Sequence, residues 1–195
     1  VNHCVNDILV TGADPLFFLD YLAVGKLDPD VAALVVSGVH RACRENACAL
    51  LGGETAEMPG VYRPDHFDLA GTIVGLVDLD AIPDPNRVNP GDAIVGLPAV
   101  GLHTNGYTLA RALISEDEYA APFGDSTYGE ALLAPHPSYL VPVRAIRSVA
   151  DVKSMAHITG GGLLENVPRT LPEHAAAVFE QTRWTVPPII AELVK

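Results

Sequence analysis

The chain has 195 residues, enough for one large domain or two small ones, and its 49% apolar and 18% charged residues are a globular composition rather than a disordered one. A net charge of −12 argues against a nucleic acid or an anionic membrane as partner, and leaves open a local pocket for an anionic small molecule. The three cysteines, Cys4, Cys43 and Cys48, are odd in number and show no CxxC spacing; this argues against a disulfide framework or a zinc site and points to a reducing, cytoplasmic setting.

Taken in chain order, "VNHCVNDILV" is rich in β-branched residues and is predicted to be a strand ending in a turn at Gly12. "PLFFLDYLAV" follows as a second, bulkier strand. From Asp28 the period changes. Asp28 can cap a helix, Pro29 suits its first position, and Val31, Leu34, Val35, Val39, Ala42 and Cys43 make one apolar face. "CALLGG" is predicted as a short buried strand leading into a flexible acidic loop, and "FDLAGTIVGLVDL" as a longer strand. Cys43 and Cys48 are expected to be buried, structural thiols. The first part thus reads as a mixed sheet with helices on one face.

"IPDPNRVNPGD", residues 82–92, has the composition of a linker, which divides the chain into domains at 1–82 and 83–195. Beyond it, "AIVGLPAVGLHTNGYTLARALI" reads as strand, glycine-containing loop and helix. "PSYLVPVRAIRSV" reads as a helix with Pro142 in its first turn or at a kink. "VKSMAHITGGGLLENVPRTL" reads as a strand or connector, a triple-glycine loop and a short helix, and "AAAVFEQ" as a strand. The fold expected is an α+β or α/β two-domain protein with an α/β second domain. Val1 is not a methionine and "PPIIAELVK" reads as an interrupted helix, so the sequence is expected to continue at both ends.

Four constellations could carry chemistry. In "CVNDI", Asn6 and Asp7 interrupt an apolar run, and either a metal or a hydrogen-bonded turn would satisfy the carboxylate. In "LLGGETAEMPG", Gly52 and Gly53 give clearance, while Glu54 and Glu57 either hold Mg²⁺ or sit in water. In "GLHTNGYTLAR", His103 could act as acid, base or phosphate donor, or simply cap the helix or face solvent; Thr104, Asn105 and the Gly106 amide could meet an anion. In "HITGGGLLEN", Thr159 with Gly160, Gly161 and Gly162 could form an anion nest, although no Walker-type Lys-Ser/Thr pair follows. His157 is expected to pack beside this loop, and His3, His40, His66, His136 and His174 show no ligand spacing.

In this order, "CVNDI", "PLFFLDYLAVGKLD", "LLGGETAEMPGVY", "GLHTNGYTLAR" and "ITGGGLLENVPR" resemble the phosphoribosylformylglycinamidine cyclo-ligase (aminoimidazole ribonucleotide synthetase) family over nearly the whole chain. The resemblance implies an ATP-dependent ring closure of formylglycinamidine ribonucleotide in purine biosynthesis, through phosphorylation of the formyl amide oxygen. It implies ATP and Mg²⁺ as cofactors, with Asp7 and Glu54 as metal ligands, and Asn6, Asp7, Gly52, Gly53 and Glu54 at the nucleotide. It further implies His103, Glu54 and Asp7 as catalytic groups, with Thr104, Asn105, Gly106 and Thr159, Gly160, Gly161 and Gly162 on the substrate phosphate. An ATP-binding first domain that also forms a homodimer is part of the same expectation. The competing readings are another ATP-using member of the superfamily, of selenophosphate synthetase or thiamine-monophosphate kinase type, and a truncated, non-catalytic nucleotide-binding or assembly homologue.

Overall fold

The computed structural model describes all 195 residues. In chain order its main elements are α1 (Asn2–Leu9), β1 (Asp14–Val24), α2 (Pro29–Glu45), β2 (Ala49–Glu57), β3 (Phe67–Leu76), α3 (Tyr107–Leu113), β4 (Pro122–Phe123), β5 (Ser126–Thr127), α4 (Tyr128–Leu132), α5 (Leu140–Val149), α6 (Gly162–Asn166) and α7 (Pro188–Leu193). They form two compact units: Val1–Pro83 with Leu140–Val149, and Asp84–Tyr139 with Ala150–Lys195.

The first unit is a three-stranded mixed sheet in the order β2-β1-β3, with β1 parallel to β2 and antiparallel to β3. Helices α1 and α2 share one face of it: Phe18 of β1 is buried with Val39 and Cys43 of α2 and with Cys48, and Val1 and Cys4 pack against the same cluster. The segment 2–9 is a helix, not the strand expected from its β-branched residues. The apolar positions Val1, Cys4, Val5, Ile8 and Leu9 repeat with a helical period, and burying Val5 and Leu9 outweighs the β-propensity of single residues. Asp28 caps α2 by accepting hydrogen bonds from the Asp30 and Val31 amides at 2.9 and 3.3 Å. The apolar face of α2 is covered only in its second half; Leu34 stays 74% exposed. Arg147 of α5 donates to the carbonyls of Gly12 and Ala81 at 3.0 and 3.2 Å, pinning the turns at the two ends of the β1–β3 segment.

β2 is longer and more open than expected. The ladder with β1 continues through Gly52, Gly53 and Glu54 to Glu57, so the acidic stretch is a strand at the edge of the sheet rather than a loop. An extra residue between Leu50 and Gly52 shifts its register against Phe18 and Leu19.

The second unit has its own core of Ala110, Ile114, Leu132, Ile189 and Leu193, drawn from α3, α4 and α7 and the residue that ends α3. Its only sheet is the β4–β5 hairpin. The strands expected over Ala93–Val100 and "AAAVFEQ" are not formed, and the stretch before the triple glycine is a connector. These segments have strand-like side chains, but a strand is completed only by a neighbour on its ladder, which none of them has in this unit. Two ion pairs hold the unit's entry to its middle: Arg87 contacts Asp151, and Lys153 lies 2.7 Å from Asp92. No helix is long and apolar enough to cross a membrane.

Candidate functional site

In the first unit the predicted residues fall on two elements. Asn6 is buried on α1, while Asp7 is half exposed and lies 3.1 Å from His3 one turn earlier. Gly52, Gly53 and Glu54 lie on β2 opposite Leu19, Asp20 and Tyr21. From Phe17 onward β1 alternates regularly, so Phe18, Asp20 and Leu22 point to the helix face and Leu19 and Tyr21 to the other. Glu54 shares a face with Tyr21 and therefore points away from the helices, whereas Asp7 belongs to one of them. The two carboxylates are not brought together.

The residue that sequence reasoning missed here is Asp20. It stands between two glycines, Gly53 on β2 and Gly71 on β3, and on the helix face. A Cβ at Gly53 would lie 2.3 Å from both the Asp20 carbonyl oxygen and its Oδ1. The signal was available as a carboxylate inside the aromatic run "LFFLDYL". A cavity of about 190 Å³ lies elsewhere in the unit, between β1, the start of α2 and the turn before β3; Leu22, Val31, Val35 and Phe67 line it, and no predicted residue does.

In the second unit the predicted residues do converge. The loop of His103, Thr104, Asn105 and Gly106 meets the triple-glycine loop: a Cβ placed on Gly160 would lie 3.5 Å from Asn105 Oδ1. Gly106 and Gly161 both adopt left-handed backbone, with φ of 84° and 89°, at the starts of α3 and α6. The triple-glycine loop is organised by Asn166, a second residue the sequence did not single out. Buried at the end of α6, its Nδ2 donates to the carbonyls of Gly162 at 2.8 Å, Gly160 at 3.2 Å and Thr159 at 3.4 Å. The Gly162 amide closes a turn onto Thr159 O at 3.0 Å. This turn commits one of the amides expected to contribute to an anion nest.

His103 is held in an uncommon state. Its φ is +58°, left-handed for a residue that is not glycine. The Val100 amide donates to its Nε2 at 3.2 Å, so in the neutral ring the proton belongs on Nδ1. Tyr107, whose hydroxyl lies 3.0 Å from the His103 carbonyl oxygen and 2.6 Å from that of Leu132, ties the loop to the core. Burial pushes the Tyr107 hydroxyl pKa further above its ordinary value, so it stays a donor well into the alkaline range. His136 stacks on His103, with ring centroids 4.2 Å apart and planes at 27°.

A mixed sheet with helices on one face, followed by a unit whose two glycine loops meet beside a clamped histidine, defines an α/β protein of two domains. Its halves match the N-terminal domain of AIR synthase related protein over residues 1–77 and the C-terminal domain over residues 89–194. The chain belongs to that family. It is 50% identical over 193 residues to phosphoribosylformylglycinamidine cyclo-ligase of Paraburkholderia phymatum, covering 98% of this chain and 54% of the relative. It is 51% identical over 189 residues to the protein of the same name from Nitratidesulfovibrio vulgaris, covering 95% and 54%. The chain thus spans about half the length of the curated relatives it matches. Among solved structures, the hydrogenase maturation protein HypE of E. coli shares the fold, with a TM-score of 0.56 at 16% identity over 82% of this chain and 45% of that one.

The cofactors implied by the resemblance can be tested against these residues. Mg²⁺ suits carboxylate oxygens, but Asp7 and Glu54 face opposite sides of the sheet and do not fit one shared ion. The nucleotide set is divided in the same way, with Asn6 and Asp7 on α1 and Gly52, Gly53 and Glu54 on the edge strand.

Proposed function

We propose that this chain acts in the ATP-dependent cyclisation of formylglycinamidine ribonucleotide to aminoimidazole ribonucleotide in purine biosynthesis, with Mg²⁺ accompanying the nucleotide. The observation that carries this reading is the 50% identity over 98% of the chain to a relative named for that reaction. ATP supplies the phosphoryl group that turns the formyl amide oxygen into a leaving group. The chain's own part is positioning. His103 is presented from a loop held by the Val100 amide and the Tyr107 hydroxyl, and the Asn105 and Gly160 loops supply the phosphate contacts. Glu54, on the open face of the sheet, and Asp7, on α1, serve in different places. The same open face and the free edge of β2 support a homodimer through the first unit, with the cytoplasm as its setting.

The experiment is a turnover assay with formylglycinamidine ribonucleotide and Mg-ATP, run on this chain and on any longer polypeptide that carries it. ADP, phosphate and the imidazole product should appear in equal amounts. His103→Ala should cost on the order of 10²–10⁴-fold in kcat if the ring donates to the reacting group. Absence of imidazole in both, with ATP consumed on selenide or thiamine monophosphate instead, would transfer the chain to the competing reading.

A further inference from the structure

We propose that Asn166 is a positioning residue for the substrate phosphate: its carboxamide gathers the carbonyls of the triple-glycine loop on one side and so turns the loop's amides to the other. The inference rests on the reading that this loop meets the phosphate of the nucleotide substrate.

Asn166 is 7% exposed, and both ends of its carboxamide are spent on the loop. Nδ2 donates to the carbonyls of Gly162 at 2.8 Å, Gly160 at 3.2 Å and Thr159 at 3.4 Å, while Oδ1 accepts from the Thr159 hydroxyl at 3.4 Å. In a trans peptide the N–H points opposite to the C=O of the same unit, and the chain has no cis peptide. Drawing the carbonyls of Thr159, Gly160 and Gly162 toward Asn166 therefore turns the amides of Gly160, Gly161 and Leu163 away from it. None of these amides bonds to a backbone acceptor, whereas the Gly162 amide among them is committed to Thr159 O at 3.0 Å. Gly160 and Gly161 are exposed, so the side to which the amides turn is open.

That side also carries a negative charge. A Cβ on Gly161 would run into the Glu165 carboxylate, which is itself exposed. A phosphate arriving there is repelled by it. Donors fixed before binding offset that repulsion without a further cost of ordering the loop. With Asn166 truncated, the gathered carbonyls lose their common donor, and the peptide units turn to find water instead.

The first measurement needs no substitution. Ribose 5-phosphate is titrated into the ¹⁵N-labelled chain; the amide signals of Gly160, Gly161 and Leu163 should move downfield while that of Gly162 stays. In Asn166→Ala the affinity for ribose 5-phosphate should fall roughly tenfold, the scale of one amide hydrogen bond. The KM for formylglycinamidine ribonucleotide should rise by a similar factor, with the KM for Mg-ATP unmoved. A merely structural role would lower the thermal midpoint and leave the two KM values in step. Asn166→Ser, a milder truncation that keeps a polar group at the site, carries the same expectation if Asn166→Ala does not fold. A Gly162 signal that moves with the others, loop signals that all stay still, an unchanged affinity in the variant, or equal rises in both KM values would each overturn the proposal. If ribose 5-phosphate behaves as expected while neither the parent nor a longer polypeptide makes imidazole, the positioning by Asn166 stands and the cyclo-ligase reading falls.

Discussion

At the scale of single residues, adjacent glycines in the edge strand do different work. A Cβ on Gly53 would meet the backbone oxygen of Asp20 at 2.3 Å, an atom that cannot swing aside, whereas a Cβ on Gly52 meets nothing within 4 Å. Gly53→Ala should therefore destabilise the first unit by about 1–3 kcal/mol, the usual cost of overpacking. Gly52→Ala should be neutral or stabilising by about 0.5 kcal/mol, because it restricts the unfolded chain without a clash. Urea midpoints of the two variants check this, and the reverse order would contradict the close approach of β1 and β2. Sequence reasoning recognised both glycines as clearance but had no way to tell them apart. Which one faces a neighbour depends on the ladder register, and that register includes an extra residue at Leu51. Asp20 was overlooked for the same reason, since its flanking glycines lie 33 and 51 positions further along the chain.

Among the elements, those governed by local chemistry were the most legible. The start of α2 is an example. Asp28, Pro29 and Asp30 specify it within three residues, and Asp28→Ala should lower stability by about 1 kcal/mol through loss of the cap, read as a shift in thermal midpoint. Asp28→Asn should retain most of that stability. Elements that need distant partners were less legible. Ala93–Val100 has the side chains of a strand but no ladder, and 2–9 was misread because residue type was weighed above period. The two glycine loops were located from their sequences, whereas their meeting through Asn105 and their organisation by Asn166 were not, because both depend on packing. The linker-like stretch is also more than a spacer. Asp92, at its end, is held below the usual carboxylate range chiefly by its bond to Lys153 and also by the Asn89 amide. A lowered pKa contributes stability that is present above the carboxyl's unfolded value and is lost as pH falls through the folded one. Asp92→Asn should therefore flatten the acid side of the stability profile, below about pH 4, while changing its slope near neutrality little. An unaltered acid limb would show that the Lys153 pair contributes nothing to the fold.

For the whole molecule, net charge and core chemistry set an alkaline limit in the same direction. The chain carries a net charge of −12 at pH 7, and every further ionisation adds to its self-repulsion. Within the first unit, Cys43 is 1% exposed and packs beside Cys48. Burial, followed by the neighbouring Cys48, pushes the Cys43 thiol up to about 11. The unfolded thiol ionises nearer pH 8.5. Between those values the folded chain binds more protons than the unfolded one, so stability must fall as pH rises from about 8.5 toward 11. Cys43→Ala removes this titration while keeping a small apolar side chain in the cluster. Its urea midpoint should start below that of the parent at pH 8 and then decline less steeply toward pH 11, so that the two curves converge. Tyr107 and Tyr139, whose hydroxyls are also raised by burial, add a decline that both proteins share. The difference in slope, not the offset, reports the Cys43–Cys48 thiol pair, whose titrations depend on each other; parallel curves would mean that Cys43 meets water in the folded state. The same burial leaves the thiol protonated and enclosed at neutral pH, so alkylating reagents should leave Cys43 unmodified until the first unit unfolds.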